Sequence, residues 1–175
     1  RRSGTERLFV DATADWGPAV GFVAAREPMK DYADTTVRVR YAETDQMGVV
    51  YYGNYFTWFE VGRIEFCRQL GFDYKQMEIK DDRFLVVAET SCRYKNPARF
   101  DDLLTVRTRV TRSQRRMIRF AYEIFRQGSD ELIATGETAH VVCDRQGRPK
   151  SLPEKYRRYF PPAHPDASAL AKRRE

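Results

Sequence analysis

Histidine is nearly missing from this 175-residue sequence, which holds only His140 and His164. An imidazole-dependent mechanism has nothing to work with before residue 140, and a zinc centre has too few ligands of the right kind. Cysteine is equally sparse. Cys67, Cys92 and Cys143 stand far apart, in neither disulfide nor metal-ligand spacing. Three scattered thiols read as reduced side chains packed as small hydrophobes, as in a cytoplasmic protein. No metal and no cofactor are expected. Long apolar runs are lacking too: nothing approaches the roughly 18 residues of a membrane span. The longest uncharged stretch near the start, 16–25, is short and contains Gly17, Pro18 and Gly21. No integral membrane segment is therefore expected. Arg1, Arg2 and Arg7 followed by Val23-Ala24-Ala25 imitate a secretory leader, but Asp11 and Asp15 fall where its apolar region would build. Internal repeats and low-complexity tracts are absent.

What is present is an ordinary globular composition, 42% hydrophobic and 32% charged, in a chain long enough for one domain with a sizeable core. The net charge of +6 is unevenly spread. Residues 1–29 balance four Arg against two Asp and two Glu, whereas 144–175 carry nine Lys or Arg against four acids. A basic surface draws polyanions: nucleic acid, anionic lipid or a phosphate-bearing small molecule. Charge alone does not choose among them.

Patterning begins at Thr35. Val37, Val39 and Tyr41 alternate with Arg38 and Arg40, the period of a half-buried strand. Residues 54–71 change to helical spacing, with Phe56, Phe59, Arg63, Phe66, Cys67 and Leu70 on one stripe. Asn54 is suited to the N-cap and Gly71 to the C-terminal cap. Tyr55 and Trp58 lie off the stripe, so this helix is expected to be wrapped on several sides. Asp73 and Gln76 predict a second, shorter helix reaching about Ile79. Strands follow at 84–94, 104–110, 118–124 and 132–143, punctuated by turn chemistry at 96–102 and a hairpin loop at 127–130. Pro153 opens a short basic helix that Pro161-Pro162 ends. One long helix facing one antiparallel sheet is an α+β architecture. Residues 1–34 read as an N-terminal extension with little regular structure, 35–160 as the domain, and 161–175 as a tail. Met29 precedes the first patterned segment, so 1–28 read as an upstream extension.

The chemically informative stretch joins the first strand to the long helix: Tyr41-Ala42-Glu43-Thr44-Asp45-Gln46-Met47-Gly48-Val49-Val50-Tyr51-Tyr52-Gly53-Asn54-Tyr55. A carboxylate, Asp45, precedes a glycine-punctuated loop and then a helix N-terminus, whose free amides and dipole favour negative charge. Those amides could stabilise the oxyanion of a tetrahedral intermediate. A nearby carboxylate could attack the carbonyl or activate a water. Hydrolytic acyl transfer needs those two parts.

The run 37–71, together with Asn96-Pro97-Ala98-Arg99-Phe100-Asp101-Asp102-Leu103, resembles the hot-dog acyl-CoA thioesterases over roughly residues 35–160. It is most similar to the 4-hydroxybenzoyl-CoA thioesterase type and its relatives linked to the Tol–Pal system. The matching motif is Thr44-Asp45, Gly48-Val49-Val50-Tyr51, Gly53-Asn54-Tyr55, then Glu60, Arg63 and Glu65. The resemblance implies a sheet curled around one long helix, an acyl-CoA substrate, and a homodimer or homotetramer in which two subunits pair edge to edge. It implies that Asp45 is the catalytic aspartate, as nucleophile or general base, and that the backbone N–H of Tyr52 polarises the thioester carbonyl. Many Tol–Pal-linked relatives have histidine at that position; the hydroxybenzoyl type has tyrosine, as here. Val50, Tyr51, Asn54 and Tyr55 are implied around the substrate, and Arg115 and Arg116 against the phosphates of CoA.

Plainer readings compete at each residue. Asp45 could cap a turn, Tyr52 could wall the acyl pocket or pack in the core, and Arg115 and Arg116 could be a solvated hairpin tip. Glu60 could orient a water or form an i, i+3 ion pair with Arg63; Arg63 and Glu65 suit buried or interfacial pairing. His140 suits a sheet surface or an interface. Hydration chemistry on a hot-dog fold would call for a histidine paired with an acid, which the sequence before residue 140 lacks. The remaining alternatives are a non-catalytic acyl-CoA-binding module and, more distantly, nucleic-acid binding by the basic C-terminus; no nucleic-acid partner is expected.

Overall fold

The computed structural model describes residues 31–160. The expected tail 161–175, and the expected extension apart from residues 31–34, lie outside that range. The elements in chain order are β1 (Tyr32–Arg38), a single 3-10 turn (Tyr41–Glu43), α1 (Asn54–Gln69), α2 (Tyr74–Asp81), β2 (Phe84–Tyr94), β3 (Leu103–Ser113), β4 (Met117–Arg126), β5 (Leu132–Cys143) and α3 (Glu154–Arg157). The strands form one antiparallel sheet in the order β1-β3-β4-β5-β2. With α1 packed across it, this is the α+β hot-dog arrangement. Among the described residues, no helix is long and apolar enough to cross a membrane.

The packing of α1 explains its sequence. Tyr55, Trp58, Phe59, Gly62, Arg63, Phe66 and Cys67 are all buried, covering more than one face. Phe59 stacks on Tyr122 of β4 at 4.4 Å between ring centroids, and Phe66 meets Phe120 edge-on at 6.1 Å. Each such aromatic contributes about 1.5–3 kcal/mol by leaving water. Close approach is possible because two positions lack a side chain. A Cβ on Gly136 of β5 would lie 2.3 Å from the Phe59 ring, and one on Gly62 would lie 2.6 Å from Thr108 Oγ1 of β3.

Several local expectations shift. β1 starts at Tyr32, three residues before the visible alternation. Asp34, a poor strand residue by itself, is held there by Arg107 of β3 through two hydrogen bonds of 2.8 and 2.9 Å. At its other end β1 stops at Arg38. Val39 instead exchanges backbone hydrogen bonds with Asp101 and Asp102, and Tyr41, which the alternation places inward, is 78% exposed. The N-cap of α1 is Gly53, in helical conformation and without a side-chain cap, not Asn54. Gly71 ends α1 as expected, with φ of 76° and the bonds Gly71 N–H to Arg68 O and Phe72 N–H to Cys67 O. Asp73 caps α2 through the Gln76 amide at 2.9 Å.

The sheet ends in two unequal edges. β1 is seven residues long. β2 is eleven, is exposed along most of its length, and bulges between Val87 and Glu89. Val86 and Val87 are 48% and 51% exposed.

Candidate active site

The loop between β1 and α1 is tied down at its base and open at its tip. The anchor is Glu43, 4% exposed. Its carboxylate accepts from the Arg40 amide at 2.7 Å, the Arg40 guanidinium at 2.8 Å and the Trp58 indole N–H at 3.3 Å. Burial pushes this carboxyl up, but the Arg40 and Trp58 donors together outweigh it and hold the group below the usual glutamate range. The Glu43 carbonyl accepts from the Tyr51 amide and from the Asn54 side-chain amide, both at 2.8 Å. One residue thereby fixes the loop base against the start of α1. Asn54 does its work from inside the first turn, in place of the capping role its position suggested.

At the tip, Asp45 closes a tight turn. Its N–H donates to Val49 O at 2.8 Å, its carbonyl accepts from the Gly48 N–H at 2.9 Å, and Oδ1 accepts from the Met47 N–H at 2.8 Å. The turn-capping role weighed above is therefore real, but it occupies only Oδ1. Asp45 remains exposed, and among the described residues Oδ2 has no partner. Thr44 and Val50 bridge the two sides of the loop, and the Val50 N–H donates to Ala98 O at 2.8 Å. The chain then enters α1. Among the described residues, the N–H groups of Tyr52 and Gly53 donate to no protein acceptor. Tyr52 is held from behind, its carbonyl accepting from the Tyr94 hydroxyl at 3.1 Å. A carboxylate oxygen and two unused amides thus belong to one short, braced segment.

The other expected site residues divide. Tyr51 and Tyr52 expose their rings, 48% and 60%, and lie against each other at 4.4 Å. Val50 and Tyr55 are buried in the core, Tyr55 between Trp58 and Tyr94, so neither side chain faces a ligand within one chain. Glu60 makes no ion pair with Arg63. It lines a separate cleft of about 840 Å³ bounded by α1, α2 and the start of β2, which neither Asp45 nor Tyr52 lines. Six residues beyond Asn54, Glu60 is about 9 Å further along the helix axis. Glu65 pairs with Arg68 instead of Arg63.

Arg115 and Arg116 occupy the exposed connection between β3 and β4. Their carbonyls accept from Leu152 and Val142. This is the end of the sheet where β5 finishes and β2 begins. The Asp45 loop sits at the opposite end, where Val50 is bonded to Ala98 and Arg126 closes on Pro97 O. The β4 strand between those ends is about 30 Å long. A single chain does not bring the arginines to the aspartate.

His140, expected on a surface or at an interface, is fully buried. Its interaction with Arg63 and the bracing role of Glu43 were both missed from the sequence. The i, i+3 spacing of Arg40 and Glu43 was the available signal for Glu43; nothing local signals the pairing of residues 63 and 140.

The description of the thioesterase-like superfamily matches residues 39–160. The Bacillus subtilis protein YneP is 34% identical over 128 residues, 73% of this chain and 89% of that one. The acyl-CoA thioesterase YbgC of Haemophilus influenzae is 33% identical over 116 residues, 66% of this chain and 83% of its own length. Among solved structures, a DHNA-CoA thioesterase from Staphylococcus aureus superimposes with a TM-score of 0.66 at 35% identity, covering 81% of this chain and 89% of that one.

Proposed function

The chain belongs to the thioesterase-like superfamily and is a thioester hydrolase, and from that premise we propose that it cleaves an acyl-CoA to free acid and CoA, with Asp45 as the reactive carboxylate. The observation that carries this reading is the joint presence, on one braced loop, of an exposed carboxylate oxygen and two amides without acceptors. With the thioester carbonyl oxygen on the Tyr52 N–H, developing negative charge is stabilised by that amide and by the positive end of α1. Asp45 then acts in one of two ways. As nucleophile, its oxygen bonds to the carbonyl carbon, the C–S bond breaks, CoA leaves as thiolate, and water hydrolyses the resulting anhydride. As general base, it takes a proton from water, whose oxygen attacks in its place. No imidazole takes part in either route.

Completing the site requires a second copy of the chain. Antiparallel pairing of β2 with its own copy exchanges the two ends of the sheet, bringing one subunit's Arg115 and Arg116 to the same end of the joined sheet as the other's Asp45. The same pairing covers a long open edge. The CoA phosphates then have cations within reach.

Replacing Asp45 by Asn or Ala tests the proposal. Thiol release from acyl-CoA substrates is expected to fall by roughly 100-fold or more, with circular dichroism and oligomeric state unchanged; near-normal turnover would remove Asp45 from the mechanism. The alternative, a module that binds acyl-CoA without cleaving it, would show saturable binding and no thiol release from the unaltered chain across aliphatic and aromatic acyl-CoAs.

A further inference from the structure

Arg63 is a buried cation without a counter-ion. It is 8% exposed, and among the described residues no carboxylate lies within ion-pair distance of its guanidinium. The Tyr74 and Tyr122 hydroxyls lie close to it, and its guanidinium meets His140 Nε2 at 3.3 Å. That nitrogen also meets Thr138 Oγ1 at 2.8 Å, which in turn meets the Tyr122 hydroxyl at 2.8 Å. All these partners are neutral. Burial, and then the Arg63 charge, push His140 down to about 4, so the imidazole is uncharged at neutral pH. Arg63 Nε is itself buried with no acceptor. A guanidinium does not shed its proton, so the chain cannot relieve this charge by titration. Buried charges ordinarily persist only when paired.

Arg63 also lines the 840 Å³ cleft between α1, α2 and β2, where it is the one buried charge. The walls include Phe72, Tyr74, Phe84 and Leu85. The rim carries Glu60, Arg68, Asp73, Lys75 and Glu78, of mixed sign and in contact with water, and none of its acids pairs with Arg63.

We propose that this cleft is a binding site for an organic carboxylate, with Arg63 as its ion-pair partner and the aromatic walls around its apolar body. A carboxylate matches the planar guanidinium and supplies the counter-ion that Arg63 lacks. A dianion such as phosphate would carry unneutralised charge between apolar walls. The carboxylate has two sources. It is either the far end of the acyl group, which would make the substrate the monothioester of a dicarboxylic acid and rests on the thioesterase reading, or a free carboxylic acid that binds by itself.

Calorimetry on the unaltered chain with 3-phenylpropionate and with adipate, each beside its uncharged amide, tests the site directly. The acids are expected to bind roughly tenfold or more tightly than the amides, as for a charge-assisted hydrogen bond, and Arg63→Met should erase the difference. Equal binding of acid and amide, or binding of neither, overturns the proposal, and this comparison decides even if Arg63→Met does not fold. Turnover of adipoyl-CoA against hexanoyl-CoA separates the sources: a preference for adipoyl-CoA that Arg63→Met removes supports the acyl group, whereas acid binding without any such preference supports a free acid. Failure of the two readings is distinguishable. Thiol release without discrimination between acid and amide sinks the carboxylate site alone; acid binding without thiol release from any acyl-CoA sinks the thioesterase reading alone.

Discussion

Glu43 and Asp45 stand two residues apart, and burial separates their roles. Both carboxylate oxygens of Glu43 are engaged by Arg40 and Trp58, while Asp45 keeps one oxygen for solvent. The same contrast between spent and unspent groups governs the pH response. His140 is pushed down to about 4 from an ordinary 6.5, by burial and then by Arg63. Between those values the unfolded chain binds a proton that the folded chain refuses. The stabilising contribution is therefore complete above about pH 6.5 and is lost as the pH falls toward 4, by no more than about 3 kcal/mol. Urea unfolding at pH 7 and pH 5 should show the loss, and His140→Gln should flatten it. Asp144 does not confuse the measurement. Burial alone would raise its carboxyl, but the Arg148 amide and guanidinium hold it at about 2, so its contribution disappears only below its ordinary value of 3.8.

Among the elements, what could be read from the sequence was what repeats. The helix stripe around Phe59, Phe66 and Cys67 and the alternation of β3 and β4 follow from short-range periodicity, and the long helix, the sheet and their order emerge where expected. The misplaced features depend on partners distant in sequence. β1 extends to Tyr32 because Arg107 holds Asp34; Asn54 is not a cap because Glu43 O takes its side chain. Arg63 resembles half of an ion pair because acids lie at i−3 and i+2, yet the fold buries it and it pairs with neither. Asp45 stands out by its place before a glycine-punctuated loop and a helix N-terminus, whereas Tyr52 is singled out only by a resemblance. Gly136 is a case of distant demand that can be measured: Gly136→Ala drives a methyl into the Phe59 ring, and the expected overpacking cost is about 1–3 kcal/mol. A lowered melting temperature with unchanged KM would be the signature, since Gly136 sits behind α1 and away from Asp45.

The described residues place the cationic hairpin and the Asp45 loop at opposite ends of one sheet, and β2 offers a long unpaired edge between them. Introducing charge on that edge, as Val86→Lys with Val87→Lys, should give a chain that sediments as a monomer, keeps its circular dichroism and loses turnover. A dimer with normal activity would mean that the copies pair elsewhere. Replacing Arg115 and Arg116 by Ala should raise KM for acyl-CoA by roughly tenfold, about 1.4 kcal/mol, with little change in kcat, because CoA phosphates contribute binding and no bond rearrangement. A substrate truncated to the pantetheine arm should be indifferent to that double change.

The open edge of β2 has a kinetic corollary. If neither chain alone owns a complete site, turnover per molecule is not a constant of the protein but a function of how much of it is present. Diluting the enzyme through its dissociation constant should make total activity fall faster than linearly, so that specific activity declines instead of staying constant, and adding a copy inactivated at Asp45 should restore part of it by lending intact arginines to the remaining aspartates.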